Sequence, residues 1–207
     1  VIEPSDSQEA KDFTKKAFEI SEEFDTPVML RVTTRLSHSQ GLVEEKPPEE
    51  RKIKDYQKNA PKYVMLPGYA RQRHVEVEKR MGRLVEYAET TPLNQIEWGS
   101  KKLGIITSGV VYQYVKEAGL EASILKLGLT NPLPKKLIQS FAEQVDRLVV
   151  IEELEPIIED QIRSWGIQVE GKDLFTKLGE YSPEMIMTVL GGYDLGTGTG
   201  IDKEIPG

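Results

Sequence analysis

The sequence predicts an α/β protein built on a doubly wound, mainly parallel sheet. Three observations carry this expectation. Apolar runs that read as strands recur through the second half: LGIITSG (103–109), ASILKLG (122–128) and RLVVIEE (147–153). Segments with apolar residues at helical spacing separate them. The resulting alternation, β-α-β-α-β-α in units of about 20 to 25 residues, calls for right-handed crossovers with helices on both faces of the sheet.

The elements follow in chain order. In VIEPSDSQEA, Ser5 or Asp6 is placed to cap a helix with Glu9 in its first turn. Apolar residues at Ala10, Phe13, Ala17, Phe18, Ile20 and Phe24 extend that helix from Ser7 to Phe24. After DTP, VMLRV reads as a strand that needs further partner strands to bury both faces. Residues 42–62 carry tandem prolines and alternating charges, the composition of a linker. YVMLPG (63–68) is a short apolar patch, and the next 22 residues read as a long helix. Its expected apolar stripe is Val77, Met81, Leu84, Val85 and Ala88. LNQIEW is strand-like. VVYQYVKEAG is a helix with Val111, Tyr114, Val115 and Ala118 inward, ending at Gly119. A helix with Leu137, Ile138, Phe141 and Val145 inward follows two prolines. Another starts near Pro156 and stops at Gly166, then IQVEG forms a short strand or extension. A short helix in YSPEMIMTVL and a glycine-rich tail close the chain.

Composition excludes several classes. The 207 residues carry a net charge of −7, which disfavours a nucleic-acid binder, since that needs a basic face. No apolar run reaches the length of a membrane span. The opening residues lack the basic start and apolar middle of a signal peptide, and no cysteine is present, so the expected location is cytoplasmic. The missing cysteines also rule out thiolate metal sites and iron–sulfur ligation within these residues. The lack of an initiating Met and of lead-in strands suggests a piece of a longer protein.

Few motifs carry chemistry. Thr107, Ser108 and Gly109, between a strand and a helix, form a possible anion site of hydroxyls and free N–H groups. Ordinary capping with a tight glycine turn is the favoured reading of these residues alone. The spaced glycines and the lysine of the two nucleotide-binding patterns are missing. GTGTG near the end follows no convincing strand and opens no helix. Glu152, Glu153, Glu155, Glu159 and Asp160 read as a solvated cluster favoured by a helix dipole rather than a metal or acid–base site. No serine–histidine–aspartate arrangement stands out, and RVTTRLSHSQG (31–41) supplies Arg31, Arg35 and His38.

Several motifs in order carry a resemblance: EPSDSQEA, TTRLSHS, EWG, GIITSGVVYQYV and VVIEELEP. Together they are similar to the thiamine-diphosphate-dependent 2-oxoacid:ferredoxin oxidoreductases, the alpha subunit of the indolepyruvate type in particular, over roughly residues 1–185. The resemblance implies four segments. Residues 1–41 are the end of a thiamine pyrimidine-binding domain. Residues 42–92 are a linker and connecting helix, 93–190 a transketolase C-terminal-like domain, and 191–207 a flexible tail. It implies a parent enzyme that converts aryl pyruvates to acyl-CoA with ferredoxin as electron acceptor. The implied cofactors are thiamine diphosphate, Mg²⁺ and iron–sulfur clusters, none of them held by these residues. The implied partners are a beta subunit, ferredoxin and coenzyme A, in an oligomer, with no nucleic acid or membrane. A run like Arg35–x–x–His38 stands after the same strand in related pyruvate enzymes, which puts both residues near substrate or cofactor without a role. No catalytic residue is implied within the chain, which alone is expected to be structural and inactive. The alternative is a free-standing α/β binding or dimerisation module, and a weaker one is an independent small-molecule enzyme. Flanking coding sequence separates these readings.

Overall fold

In the computed structural model, which describes residues 1–48 and 55–191, eight α-helices surround one four-stranded sheet among the described residues. Helices are α1 (Ser7–Phe24), α2 (Thr34–His38), α3 (Ala60–Tyr63) and α4 (Pro67–Thr90). Then come β1 (Asn94–Glu97), β2 (Gly104–Ser108), α5 (Val111–Glu117), β3 (Ser123–Leu127), α6 (Lys135–Ala142), β4 (Leu148–Ile151), α7 (Ile157–Ser164) and α8 (Pro183–Ile186). A π-helical turn, Met187–Gly191, continues α8. The expected GTGTG tail lies outside the described residues.

The sheet order is β1-β3-β2-β4. β2 pairs parallel with β3 and with β4, and β1 joins β3 antiparallel at the edge. The chain runs from β2 through α5 to β3 on one side, then through α6 back past β2 to β4 on the other. α5 and α8 pack on one face, with Ile105, Ile124, Val149 and Ile151. α6 and α7 pack on the opposite face, with Ile106, Leu125 and Val150. Reversing direction while changing face keeps both crossovers the same hand. Every residue of β2, β3 and β4 is buried, which accounts for their continuous rather than alternating apolar runs. This is the expected doubly wound sheet.

A third core lies off the sheet. Phe13, Ile20 and Phe24 of α1 pack with Leu84 and Ala88 of α4, with Leu93, and with Ile2 and Leu129. Burying each of these large side chains contributes about 1.5–3 kcal/mol. Phe24 and Tyr87 meet edge-on at 5.2 Å between ring centres. Asp6 caps α1 by accepting from Glu9 N at 2.8 Å. Asp25 ends it in the left-handed region at φ 53°.

The N-terminal stretch is tied down. Ile2 N donates to Met29 O and Arg31 N to Ile2 O, both at 2.9 Å, while Glu3 N donates to Gly128 O at 2.8 Å. The same stitch corrects the expected VMLRV strand. Among the described residues its only bridge is Leu30 to Ile2, and Met29 and Val32 face outward, because the neighbour it finds is Ile2 alone. The following residues turn helical, since Thr33 caps α2 and Leu36 is buried. Residue 60 onward, expected as linker, starts α3 behind an Asn59 cap. IQVEG contributes one parallel bridge, Glu170 to Val149. Of the predicted α4 stripe only Leu84 and Ala88 are buried; Val77 is half-buried, and Met81 and Val85 are exposed.

Candidate functional site

In an open α/β sheet the ligand crevice lies beyond the carboxyl ends of strands, where the winding reverses. Here that point falls between β2 and β4. A cleft of about 390 Å³ opens there, lined by Ser108, Gly109, Glu152 and Glu153 from the sheet, with Glu3 and Arg31 from the N-terminal segment.

Glu3 organises the cleft. Its carboxylate accepts from Arg31 Nη1 at 2.9 Å, from Ser108 Oγ at 3.2 Å and from Thr130 Oγ1 at 2.9 Å. The next turn requires Gly109 at φ 55°, and a Cβ there would sit 3.4 Å from Glu3 Oε2. The predicted anion-site residues therefore come together around an anion, which is the chain's own carboxylate. Thr107 takes no part in it. Fully buried, it donates to Ile151 O at 2.9 Å and braces β2 against β4.

The acidic cluster splits in two. Glu152 accepts from Ile158 N at 3.0 Å and Glu159 N at 2.9 Å, so its carboxylate caps the start of α7. Burial pushes its carboxyl up, opposed by those two amides. Glu159, at 1% exposure, accepts from Lys172 N at 2.8 Å. Arg163 Nη1 approaches its other oxygen at 2.7 Å, an ion-pair contact without hydrogen-bond alignment. The expectation of a solvated cluster is thus corrected for Glu152 and Glu159, because backbone amides and cations from later segments make their burial tolerable. Lys172 donates to Glu152 O and to Tyr181 Oη, and burial lowers its own ammonium. Leu154, between the halves, sits at φ 61°, a conformation that costs about 1–3 kcal/mol and occurs preferentially at ligand sites. Among the described residues no group of three histidine, cysteine or acidic side chains could hold a metal.

Arg35 and His38 lie on α2, outside this cleft. Arg35 pairs with Glu180 and borders a second cavity of about 390 Å³ beside Ser5, Asp6 and Gln113. His38 is exposed and lines neither cavity.

Sequence reasoning missed the polar seam between the two cavities. Lys126 of β3, at 4% exposure, donates to Ser5 Oγ at 3.0 Å, pairs with Glu9 and lies 4.3 Å from the centre of the Tyr112 ring. Glu9 also accepts from Ser5 N at 2.9 Å. Gln113 donates to Asp6 Oδ2 at 3.0 Å. The signal was a lysine inside the otherwise apolar run ASILKLG, which demands a buried partner.

No protein-family model matches the chain. Among curated proteins, the indolepyruvate oxidoreductase subunit IorA of Pyrococcus horikoshii is 40% identical over 198 residues, covering 87% of this chain and 31% of its own. The IorA subunit of Pyrococcus abyssi is 39% identical over 222 residues, covering 99% and 34%. That of Archaeoglobus fulgidus is 34% identical over 189 residues, covering 88% and 30%. A solved 2-oxoglutarate:ferredoxin oxidoreductase from Magnetococcus marinus aligns with 60% of this chain and 23% of its own, at 21% identity and a TM-score of 0.47. The chain spans about a third of the length of the curated relatives it matches. Similarity at 33–40% identity running through nearly all of the chain leaves one assignment: it belongs to the family of the indolepyruvate oxidoreductase subunit IorA.

Proposed function

We propose that the chain works as the rigid joint of an oxidoreductase that decarboxylates aryl pyruvates such as indolepyruvate to acyl-CoA, with ferredoxin taking the electrons. In this reading residues 1–41 end a thiamine pyrimidine-binding domain and 42–92 connect it to the next. Residues 93–190 form a transketolase C-terminal-like domain. The carrying observation is the seam in which buried Lys126 holds Ser5 and Glu9 against the sheet. A charge paired and hydrogen-bonded in this way tolerates little misregister, so it fixes one body against the other. Arg35 and His38 then stand at the edge of the first body, where they are placed to face substrate or cofactor.

Thiamine diphosphate, Mg²⁺ and iron–sulfur clusters are the cofactors of this reading, and the residues present do not fit them. The chain has no cysteine. The described residues include no metal-binding group, and the cleft presents Glu3, Glu152 and Glu153, which repel a diphosphate. The cofactors and the contacts to a beta subunit, coenzyme A and ferredoxin thus belong to the remainder of the assembly, in the cytoplasm. Among the described residues no helix is long and apolar enough to cross a membrane.

Two measurements test this. Calorimetry of the chain with thiamine diphosphate and Mg²⁺ should give no saturable heat, and tight binding overturns the assignment of the cofactor to other segments. The assembled enzyme should reduce ferredoxin with indolepyruvate and coenzyme A. Turnover with short aliphatic 2-oxoacids alone overturns the aryl substrate.

A further inference from the structure

One long helix face has no partner among the described residues. α4 is buried at Leu84 and Ala88, near its C-terminal end. On its outer side Gly68, Arg71, Val75, Glu78, Lys79, Gly82 and Glu86 are all exposed, and Val75 is 53% exposed. A Cβ at Gly68 or Gly82 would meet nothing within 4 Å. Glycine in a helix interior weakens it, and no packing among the described residues requires Gly82.

The spacing along this face has a two-fold character. Take a second α4 lying antiparallel across the first, with the axis between residues 78 and 79. Each residue then lies level with the one whose number completes a constant sum. Val75 stands opposite Gly82 of the other copy, an apolar knob facing a position with no side chain. Glu78 stands opposite Lys79, and Arg71 opposite Glu86. Both ion pairs have opposite sign, and each occurs twice by symmetry. Helices approach closely only where small residues leave room, and a two-fold contact must be complementary to itself. This face meets both conditions. Among the described residues Glu78 meets His74 at 3.6 Å and Lys79 meets Glu76 of its own helix at 3.0 Å, exposed contacts that a closer partner displaces. Immediately before α4, Val64, Met65 and Leu66 are also exposed, and the antiparallel arrangement brings them toward the far end of the partner helix.

We infer that the outer face of α4 is a homodimer surface, its occupant a second copy of this chain packed antiparallel with Val75 over Gly82.

The chain contains no cysteine, which makes the register directly testable. Two separately prepared variants, Val75→Cys and Gly82→Cys, are mixed and oxidised with copper phenanthroline. The mixed disulfide should form at least about tenfold faster than either homodisulfide, since copies of the same residue lie roughly 10 Å apart along the axis. Equal rates for all three products overturn the register. Sedimentation velocity supplies the second arm. Lys79→Glu should weaken dimerisation by about tenfold, and the double variant Glu78→Lys/Lys79→Glu, which restores opposite signs, should recover it. A wild-type chain that sediments as a monomer throughout the micromolar range, or a double variant no better than the single one, overturns the proposal.

Discussion

Lys126 Nζ lies 3.0 Å from Ser5 Oγ, across 121 positions of sequence, at a site nearly closed to solvent. Glu9 supplies the opposing charge. Removing one member of such a buried pair leaves the other charge uncompensated. Lys126→Met should therefore destabilise the chain by about 3 kcal/mol. Adding Glu9→Gln to that variant should recover part of the loss. Urea unfolding curves of the three proteins measure both effects, and a single-variant loss below roughly 0.5 kcal/mol would contradict a structural role for the pair.

Emptying the Glu3 position should convert an internal anion site into an external one. Glu3→Ala removes the acceptor of Arg31, Ser108 and Thr130, at a cost of about 2 kcal/mol. Added formate should then raise the melting temperature of the variant, while leaving the wild type unchanged. Sodium chloride at equal ionic strength is the control. Equal responses to both salts would show that no site is recreated.

Acid should weaken the joint at Asp25. Its carboxylate meets Lys62 Nζ at 2.6 Å and Arg73 Nη2 at 3.1 Å. The hydrogen bond from Lys62 is the leading cause that holds its pKa below the usual value of 3.8. A depressed folded pKa contributes stability that is present above the unfolded value and lost as pH falls through the folded one. The site is half exposed, so the contribution is about 0.5–1 kcal/mol. Asn tolerates the left-handed backbone at this position. Asp25→Asn should consequently lose that amount at pH 7, and the gap to wild type should shrink as pH falls below 3.8 through the depressed folded pKa. An identical wild-type-to-variant gap above and below that range would refute the charge argument.

Gly171 is fixed by Glu159 rather than by its own backbone. A Cβ at 171 would meet Glu159 Oε2 at 2.2 Å, and Glu159 is buried with Lys172 N and Arg163 on its oxygens. Gly171→Ala should cost about 1–3 kcal/mol by urea unfolding, and the added substitution Glu159→Ala should not rescue it fully, because Arg163 then loses a partner.

Proteolysis should begin in the connecting segment. Residues 42–48 and 55–58 are exposed, apart from half-buried Val43, and carry no helix or strand. Glu-C should cut after Glu44 or Glu45, and trypsin after Lys58, well before either enters residues 93–185. First cuts inside the sheet would invert the expected order of local stability.

The two halves of the chain differ in how legible they were. β2, β3 and β4 are short buried strands, and their mostly apolar runs announce them without help from distant residues. α1 declared its limits through the Asp6 cap and helical spacing. VMLRV reads the same way locally, yet a strand exists only when a neighbour supplies its ladder, and here that neighbour is Ile2 alone. The fate of an acid is likewise non-local. Glu152 and Glu159 are buried because amides of α7, Lys172 and Arg163 converge on them, and no spacing rule reveals that convergence. Thr107 to Gly109 were legible as hydroxyls and a turn, whereas the carboxylate facing Ser108 and Gly109 came from position 3.

Ile2 bridges both Leu30 and Leu129, and that shared rung sets an order of events during synthesis. The contact with Leu129 spans more than half of the chain and cannot form until β3 has left the ribosome. Until then α1 has α4, which emerges earlier, but not Leu129 to cover Phe13, Ile20 and Phe24. This segment is thus locked well after it is made, and part of its apolar face stays open to chaperones for the interval.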